Sequence, residues 1–131
     1  MSILRVDHVG IWTGDLEGMR DFYVTYLGGS CGPLYENPRK GFRSYFISFA
    51  EGARLELMSR AQGYPSSKPG AEAAGYAHVA YRVGSREAVD ALTARLQVAG
   101  ISVVDGPRVT GDGYYEVVIV DPEGNRVEIV E

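Results

Sequence analysis

An internal repeat constrains this chain more than any other feature. Moving the second half back by 70 residues places His78 on His8, and moving it back by 72 residues places segment 126–129 on segment 54–57. The difference of two residues corresponds to a small insertion between the matching segments. A repeat of this length predicts that the chain folds as two similar modules.

Local patterns in the first half predict a strand, a helix and then a hairpin. Residues 5–12 are β-branched and aromatic, Thr13 or Asp15 is expected to cap the following helix, and Gly28 is expected to end it. Strands are predicted at 42–49 and 53–58. The apolar positions at helical spacing are Leu16, Met19, Phe22, Tyr23, Tyr26 and Leu27.

The second half repeats this order of elements. Ser85 is the predicted cap, Gly100 is the predicted helix end, and strands are predicted at 114–120 and 126–130. The predicted buried face of the helix consists of Ala88, Ala91, Leu92, Leu96 and Ala99. Each half is therefore a βαβββ-like module.

The predicted organisation is a single α+β domain over residues 1–131. Module one covers about 1–58, a linker rich in Gly, Pro and Ser covers 59–76, and module two covers 77–131. A chain of 131 residues buries enough surface to fold without disulfides or a structural metal. Any metal in this chain is therefore expected to be functional.

Composition argues against several classes of partner. The chain has 13 Lys and Arg against 17 Asp and Glu, and its longest basic run is Arg39-Lys40, so nucleic-acid binding is not expected. No apolar segment has the length of a membrane span, and the first residues lack the pattern of a secretory signal. We expect a cytoplasmic protein. The single cysteine, Cys31, is expected to be an unreactive loop residue.

Four chemically important residues occupy matching positions of the repeat. The two histidines of the chain are His8 and His78, and the matching glutamates are Glu56 and Glu128. Side chains alternate along a strand, so each glutamate lies opposite apolar neighbours. By the same alternation His8 lies opposite Asp7 and Val9, and both histidines are expected on the face away from the helix. Taken singly, such residues are usually a hydrogen-bonded histidine or a solvated glutamate.

The repeat favours a metal site over that ordinary interpretation. If the two modules face each other across a pseudo-twofold axis, the four side chains meet. Two imidazoles and two carboxylates suit one divalent transition ion, with Zn or Ni preferred and Co, Mn or Fe possible. The predicted ligands are His8, Glu56, His78 and Glu128.

The chain resembles the vicinal oxygen chelate superfamily, which includes glyoxalase I, bleomycin-resistance proteins, methylmalonyl-CoA epimerase and extradiol dioxygenases. The resemblance is carried by residues 7–11, 15–16, 22–23 and 27–28 in the first half, and by 75–80 and 121–129 in the second. It implies two βαβββ modules forming an open barrel around a metal, often in a homodimer. The implied ligands are the same four residues.

The ligand set is most similar to that of bacterial-type glyoxalase I, or lactoylglutathione lyase. This similarity implies isomerisation of a hemithioacetal of a 2-oxoaldehyde through an enediolate, with Glu128 as the first candidate for the catalytic base and Glu56 as its symmetric counterpart. A metal would stabilise the negative charge on the two substrate oxygens. An epimerase, a dioxygenase or a metal-free binding protein of the bleomycin-resistance type stays an alternative.

The chain departs from that pattern where the glutathione-using enzymes bind the glutathione carboxylate. They carry an Arg four residues after the first His and an Asn four residues after the first Glu, whereas this chain has Trp12 and Arg60. A thiol other than glutathione is therefore considered. The predicted substrate-binding residues are Trp12, Phe46, Arg60, Arg82 and Tyr114, and the loop around Tyr114 and Tyr115 is a candidate lid.

Overall fold

The computed structural model describes residues 2–63 and 75–131. The chain divides into two compact units, residues 1–67 and 68–131. We refer to them as module one and module two. Much of the predicted linker, residues 64–74, lies outside the described residues. None of the helices in the described ranges is long and apolar enough to cross a membrane.

Module one contains a five-stranded sheet and one helix. Its elements are β1 (His8–Trp12), α1 (Leu16–Thr25), β2 (Ser30–Cys31), β3 (Tyr35–Asn37), β4 (Phe42–Ser48) and β5 (Arg54–Arg60). The strand order is β1-β5-β4-β2, and β3 also pairs with β4. Strand β5 extends into the predicted linker, because Ser59 and Arg60 belong to this strand. Cys31, predicted in a loop, lies in β2.

Module two repeats this arrangement with one strand fewer. Its elements are β6 (His78–Arg82), α2 (Arg86–Val98), β7 (Val103–Val109), β8 (Tyr115–Val120) and β9 (Arg126–Val130). The strand order is β6-β9-β8-β7, which matches the order in module one. The α+β class and the two βαβββ-like modules predicted from the sequence are confirmed. In module one the corresponding strand is divided into β2 and β3.

Strand pairing has the same register in both modules. Strand β1 runs parallel to β5 with Gly10 opposite Glu56, and β6 runs parallel to β9 with Ala80 opposite Glu128. Side chains alternate across each strand, so Leu57 and its equivalents face the helix while the glutamates lie on the other face. The sequence repeat is therefore a repeat of hydrogen-bonded geometry.

Helix α1 covers the buried face of the first sheet. Asp15 is its N-cap, because the Asp15 carboxylate accepts a hydrogen bond from the Gly18 N–H at 3.0 Å. Thr13 contributes one step earlier by accepting from the Asp15 N–H at 2.9 Å. The helix ends before Gly28, which has a positive φ of 69°. The core of this module contains Leu16, Met19, Phe22, Tyr23, Tyr45, Ile47, Leu55 and Leu57.

Helix α2 buries a face that overlaps the predicted one at Leu96 but is rotated from it. Ser85 is the N-cap as expected, since its side chain accepts from the Ala88 N–H at 3.1 Å. The buried residues are Val89, Thr93 and Leu96, whereas the predicted Ala91 and Ala99 are exposed. Thr93 can be buried because its hydroxyl donates to the Val89 carbonyl at 2.7 Å. The helix ends at Val98, just before the predicted stop at Gly100, which has a positive φ of 82°.

Candidate metal centre

The first His–Glu pair lies on the face of the module one sheet opposite α1. Nε2 of His8 is 3.6 Å from Oε1 of Glu56. The His8 side chain is 41% exposed and that of Glu56 is 19% exposed, so the pair is accessible from solvent. The ring of Phe46 meets the His8 ring edge-on, with 5.4 Å between centroids. Phe46, predicted to bind substrate, thus lies directly beside the candidate ligand.

The second pair has nearly the same geometry in module two. Nε2 of His78 is 3.3 Å from Oε2 of Glu128, and the two side chains are 40% and 18% exposed. Both pairs result from the register described above, which places a carboxylate of the last strand of each module (β5 or β9) beside an imidazole of its first strand (β1 or β6). The predicted ligands are therefore brought together two by two within the modules.

The separation of the donor atoms fits a shared ion in each pair. Two ligand atoms bound at about 2.1 Å and at an angle of about 90–110° lie about 3.0–3.4 Å apart. The observed distances of 3.6 Å and 3.3 Å are close to this range. Within the residues that the structure describes, no three His, Cys, Asp or Glu side chains form one metal-binding group. Each pair by itself therefore offers two donor atoms to an ion, and we call such a pair a half-site.

The sequence analysis missed two residues that surround His8. Nδ1 of His8 is 2.8 Å from Oδ2 of Asp7, and the same carboxylate oxygen accepts a hydrogen bond from Nη2 of Arg54 at 2.8 Å. The hydrogen bond with His8 lowers the pKa of Asp7, and the hydrogen bond and positive charge of Arg54 lower it further. Asp7 precedes His8 in the sequence, but nothing in the sequence indicates which way its side chain turns.

A third carboxyl group in module two was also missed. Glu116 lies on β8, two residues before Val118, which is the residue opposite Glu128, so its side chain is on the same face of the sheet as Glu128. Burial raises the pKa of Glu116, and the hydrogen bond and negative charge of Glu128 raise it further. The alternation of Glu116 with the apolar Tyr115 and Val117 places it on the face of Glu128, a signal available once the hairpin register is known.

Two of the predicted substrate-binding residues, Trp12 and Arg60, stack on each other at the ends of β1 and β5. The Arg60 guanidinium lies over the Trp12 ring at 5.1 Å, and Trp12 meets Phe42 edge-on with 6.1 Å between centroids. Arg60 is four residues beyond Glu56 on the same strand, which corresponds to about 13 Å. This end of the module has a cavity of about 520 Å³ lined by Asn37, Phe42, Arg43, Ser59, Arg60 and neighbouring residues.

The other predicted substrate residues belong to module two. Arg82 is at the end of β6 and donates a hydrogen bond to the Glu131 carbonyl. Tyr114 ends a turn in which the Thr110 N–H donates to the Tyr114 carbonyl at 2.7 Å. Tyr115 is part of β8 and not of a loop, because it pairs with Val109 of β7. Its hydroxyl bonds to Asp90 of α2. The aromatic segment thus has one residue in a turn and one packed against the helix.

The cysteine is exposed, but its surroundings do not favour the thiolate. Its Sγ donates to the Gly32 carbonyl at 3.2 Å. Desolvation raises the pKa of the Cys31 thiol, which disfavours the reactive thiolate. The expectation of an unreactive residue therefore agrees with its surroundings.

Sequence comparison assigns the chain to a family. Residues 5–129 match the model of the Glyoxalase/Bleomycin resistance protein/Dioxygenase superfamily. The chain belongs to this superfamily. No curated protein sequence matches it. The resemblance inferred from the sequence is thus confirmed at the level of the superfamily.

Solved structures of this superfamily share the fold over nearly the whole chain. A glyoxalase family protein from Enterococcus faecalis is 26% identical, with a TM-score of 0.80 and 100% of both chains covered. TnmS3, an antibiotic binding protein from Streptomyces sp. CB03234, is 26% identical, with a TM-score of 0.74 and coverage of 99% of this chain and 97% of its own. The trypanothione-dependent glyoxalase I of Leishmania major is 22% identical, with a TM-score of 0.76 and coverages of 97% and 86%.

Proposed function

We propose that this protein is a metal-dependent lyase of the glyoxalase I type, acting on the hemithioacetal of a 2-oxoaldehyde and a thiol. The observation that carries the proposal is the pair of matched His–Glu half-sites, with donor separations of 3.6 Å and 3.3 Å. In the proposal His8, Glu56, His78 and Glu128 together bind one divalent transition ion, with Zn or Ni preferred.

The ion supplies Lewis-acid stabilisation of the negative charge that develops on the substrate oxygens. Glu128 takes the proton from one substrate carbon and returns it to the adjacent carbon. We select Glu128 because a second carboxyl group, Glu116, lies near it on the same face of the sheet. Repeat alignment by 72 residues places Ser44 at the matching position of module one, and Glu56 therefore serves as ligand.

The thiol is proposed to differ from glutathione. Trp12 and Arg60 occupy the two positions where the glutathione-using enzymes are expected to carry Arg and Asn, and the two side chains stack on each other. An aromatic surface with a guanidinium suits a thiol that has both an apolar part and an anionic group. The Leishmania major relative is trypanothione-dependent, so a thiol other than glutathione has a precedent in this fold.

The first prediction concerns the proposed metal site. Purified tag-free protein, stripped with a chelator and titrated with Ni or Zn, should bind about one ion per chain. His8→Ala should weaken binding by more than about 100-fold, because losing a ligand exceeds the cost of losing a supporting hydrogen bond. Glu51→Gln, which removes a carboxylate from an exposed turn, is the control and should bind like the wild type. Failure of the wild-type protein to bind any transition ion contradicts the site.

The reaction is tested with the loaded protein. The Ni and Zn forms are assayed with methylglyoxal and several low-molecular-weight thiols, and at least one combination should give thioester product. Size-exclusion chromatography of the same samples tests the predicted homodimer. Activity that survives His8→Ala unchanged would show that the proposed site is not the catalytic one.

The second candidate function is metal-free sequestration of a small molecule. The observations that favour it are the 26% identity to an antibiotic binding protein and the cavity of about 520 Å³ in module one, a size typical of ligand sites. Tight binding of aromatic antibiotics by the metal-stripped protein, together with no metal binding, would favour this candidate over the enzyme.

A further inference from the structure

We propose that Asp7, held by Arg54, is a positioning residue that orients the His8 imidazole and selects its tautomer, so that the lone pair of Nε2 is presented towards Glu56. The inference rests on the proposed function in one respect, namely that Nε2 is a metal ligand. It adds a residue that the ligand set does not include.

The hydrogen-bonding chemistry determines the tautomer. An ionised carboxylate only accepts hydrogen bonds, so the 2.8 Å contact between Asp7 Oδ2 and His8 Nδ1 requires the proton on Nδ1. In the neutral imidazole Nε2 then carries the lone pair, and Nε2 is the atom that faces Oε1 of Glu56 at 3.6 Å. A hydrogen bond of this kind to the second ring nitrogen is the usual way in which proteins orient a metal-binding histidine.

Arg54 holds Asp7 in place through both its side chain and its backbone. Its Nη2 donates to the Asp7 Oδ2 at 2.8 Å, and its backbone N–H donates to the Asp7 carbonyl at 3.0 Å. The guanidinium also lies over the Phe46 ring at 4.3 Å, and Phe46 contacts the edge of the His8 ring. Rotation of His8 is thus restricted by contacts on Nδ1 and on the ring.

In the described part of module two, residues 75–131, the residue before the histidine offers no such support, although the strands pair in the same register. Ala77 precedes His78 and has no carboxylate, while Arg126 occupies the position of Arg54 opposite the histidine. The residue opposite Glu128 is Val118, whereas Phe46 is opposite Glu56. The two histidines therefore form an internal comparison: His8 is oriented in advance and His78 lacks the equivalent carboxylate.

The test uses nitrogen-15 NMR of histidine side chains in the tag-free, metal-free protein. The chain has two histidines, so a His78→Asn variant assigns both sets of signals. At about pH 9, His8 should have its proton on Nδ1. Asp7→Ala should produce a mixture of tautomers at His8 without changing His78, and Asp7→Asn, which keeps an acceptor oxygen, should give an intermediate result.

A reciprocal variant adds a gain of function to this test. Ala77→Asp places a carboxylate beside Arg126 in module two and should shift His78 towards the Nδ1-protonated tautomer. A wild-type His8 protonated on Nε2, or a tautomer ratio at His8 that is the same in Asp7→Ala and in the wild type, would overturn the proposal.

Metal affinity gives the second readout. Asp7→Ala should weaken Zn or Ni binding by about 10–100-fold, the usual effect of removing such a supporting partner. Glu51→Gln removes the same charge from an exposed turn and should leave affinity unchanged. If the wild type binds no metal but the tautomer depends on Asp7, the proposed metal function fails while the orientation of His8 by Asp7 stands. Unchanged affinity in Asp7→Ala would overturn the role in metal binding.

Discussion

Glu128→Gln should lower kcat by about 10²–10⁴-fold while the protein still binds its metal. An amide oxygen can coordinate an ion, but a neutral amide cannot accept the proton of the substrate carbon. The measurement is steady-state turnover of the metal-loaded variant with the thiol found active for the wild type, together with metal content. KM should change much less than kcat, because the lost interaction acts in the proton-transfer step.

Glu56→Gln is the matched variant, since Glu56 occupies the same register position in module one. It should keep more turnover than Glu128→Gln at equal metal content. If Glu56→Gln instead loses the larger part of kcat, the base is Glu56 and the assignment to Glu128 is wrong.

Leu57→Ala should lower the free energy of unfolding by about 2–5 kcal/mol. Leu57 is fully buried at the centre of β5, opposite Ile11 of β1 and Tyr45 of β4, so its removal leaves a cavity under the sheet that carries Glu56. Urea denaturation followed by circular dichroism measures the change. Val98→Ala is the control, because Val98 is 92% exposed at the end of α2 and should change stability by less than about 0.5 kcal/mol.

The fold could be predicted from the sequence because the strongest signal, the internal repeat, is long-range and does not depend on secondary-structure propensity. The repeat placed His8, His78, Glu56 and Glu128 at matching positions before any element was assigned, and strand alternation placed each glutamate opposite its buried neighbours. The predicted strand 126–130 agrees with β9 residue for residue. Pairing of β1 with β5 and of β6 with β9 then explains why imidazole and carboxylate meet in each module.

The residues that the sequence analysis misassigned or missed are positioned by contacts that hydrophobicity does not reveal. Counting apolar residues assigned Ala91 and Ala99 to the core of α2, whereas Thr93 is buried because its hydroxyl bonds within the helix. Asp7 and Glu116 were missed because their importance depends on side-chain direction and strand register, which are properties of the tertiary structure. A charged residue on a strand is ordinarily solvated, so sequence alone gives no reason to single it out.

The identical register of the two sheets has an evolutionary consequence. Two halves with the same strand order and the same register between their first and last strands are what duplication of one ancestral segment leaves behind. After such an event the backbone frame keeps each imidazole beside its carboxylate, while the surroundings diverge separately. Asp7 lies beside the histidine in one half, and Glu116 lies beside the glutamate in the other. Each half can thus specialise without disturbing the pairing in its twin.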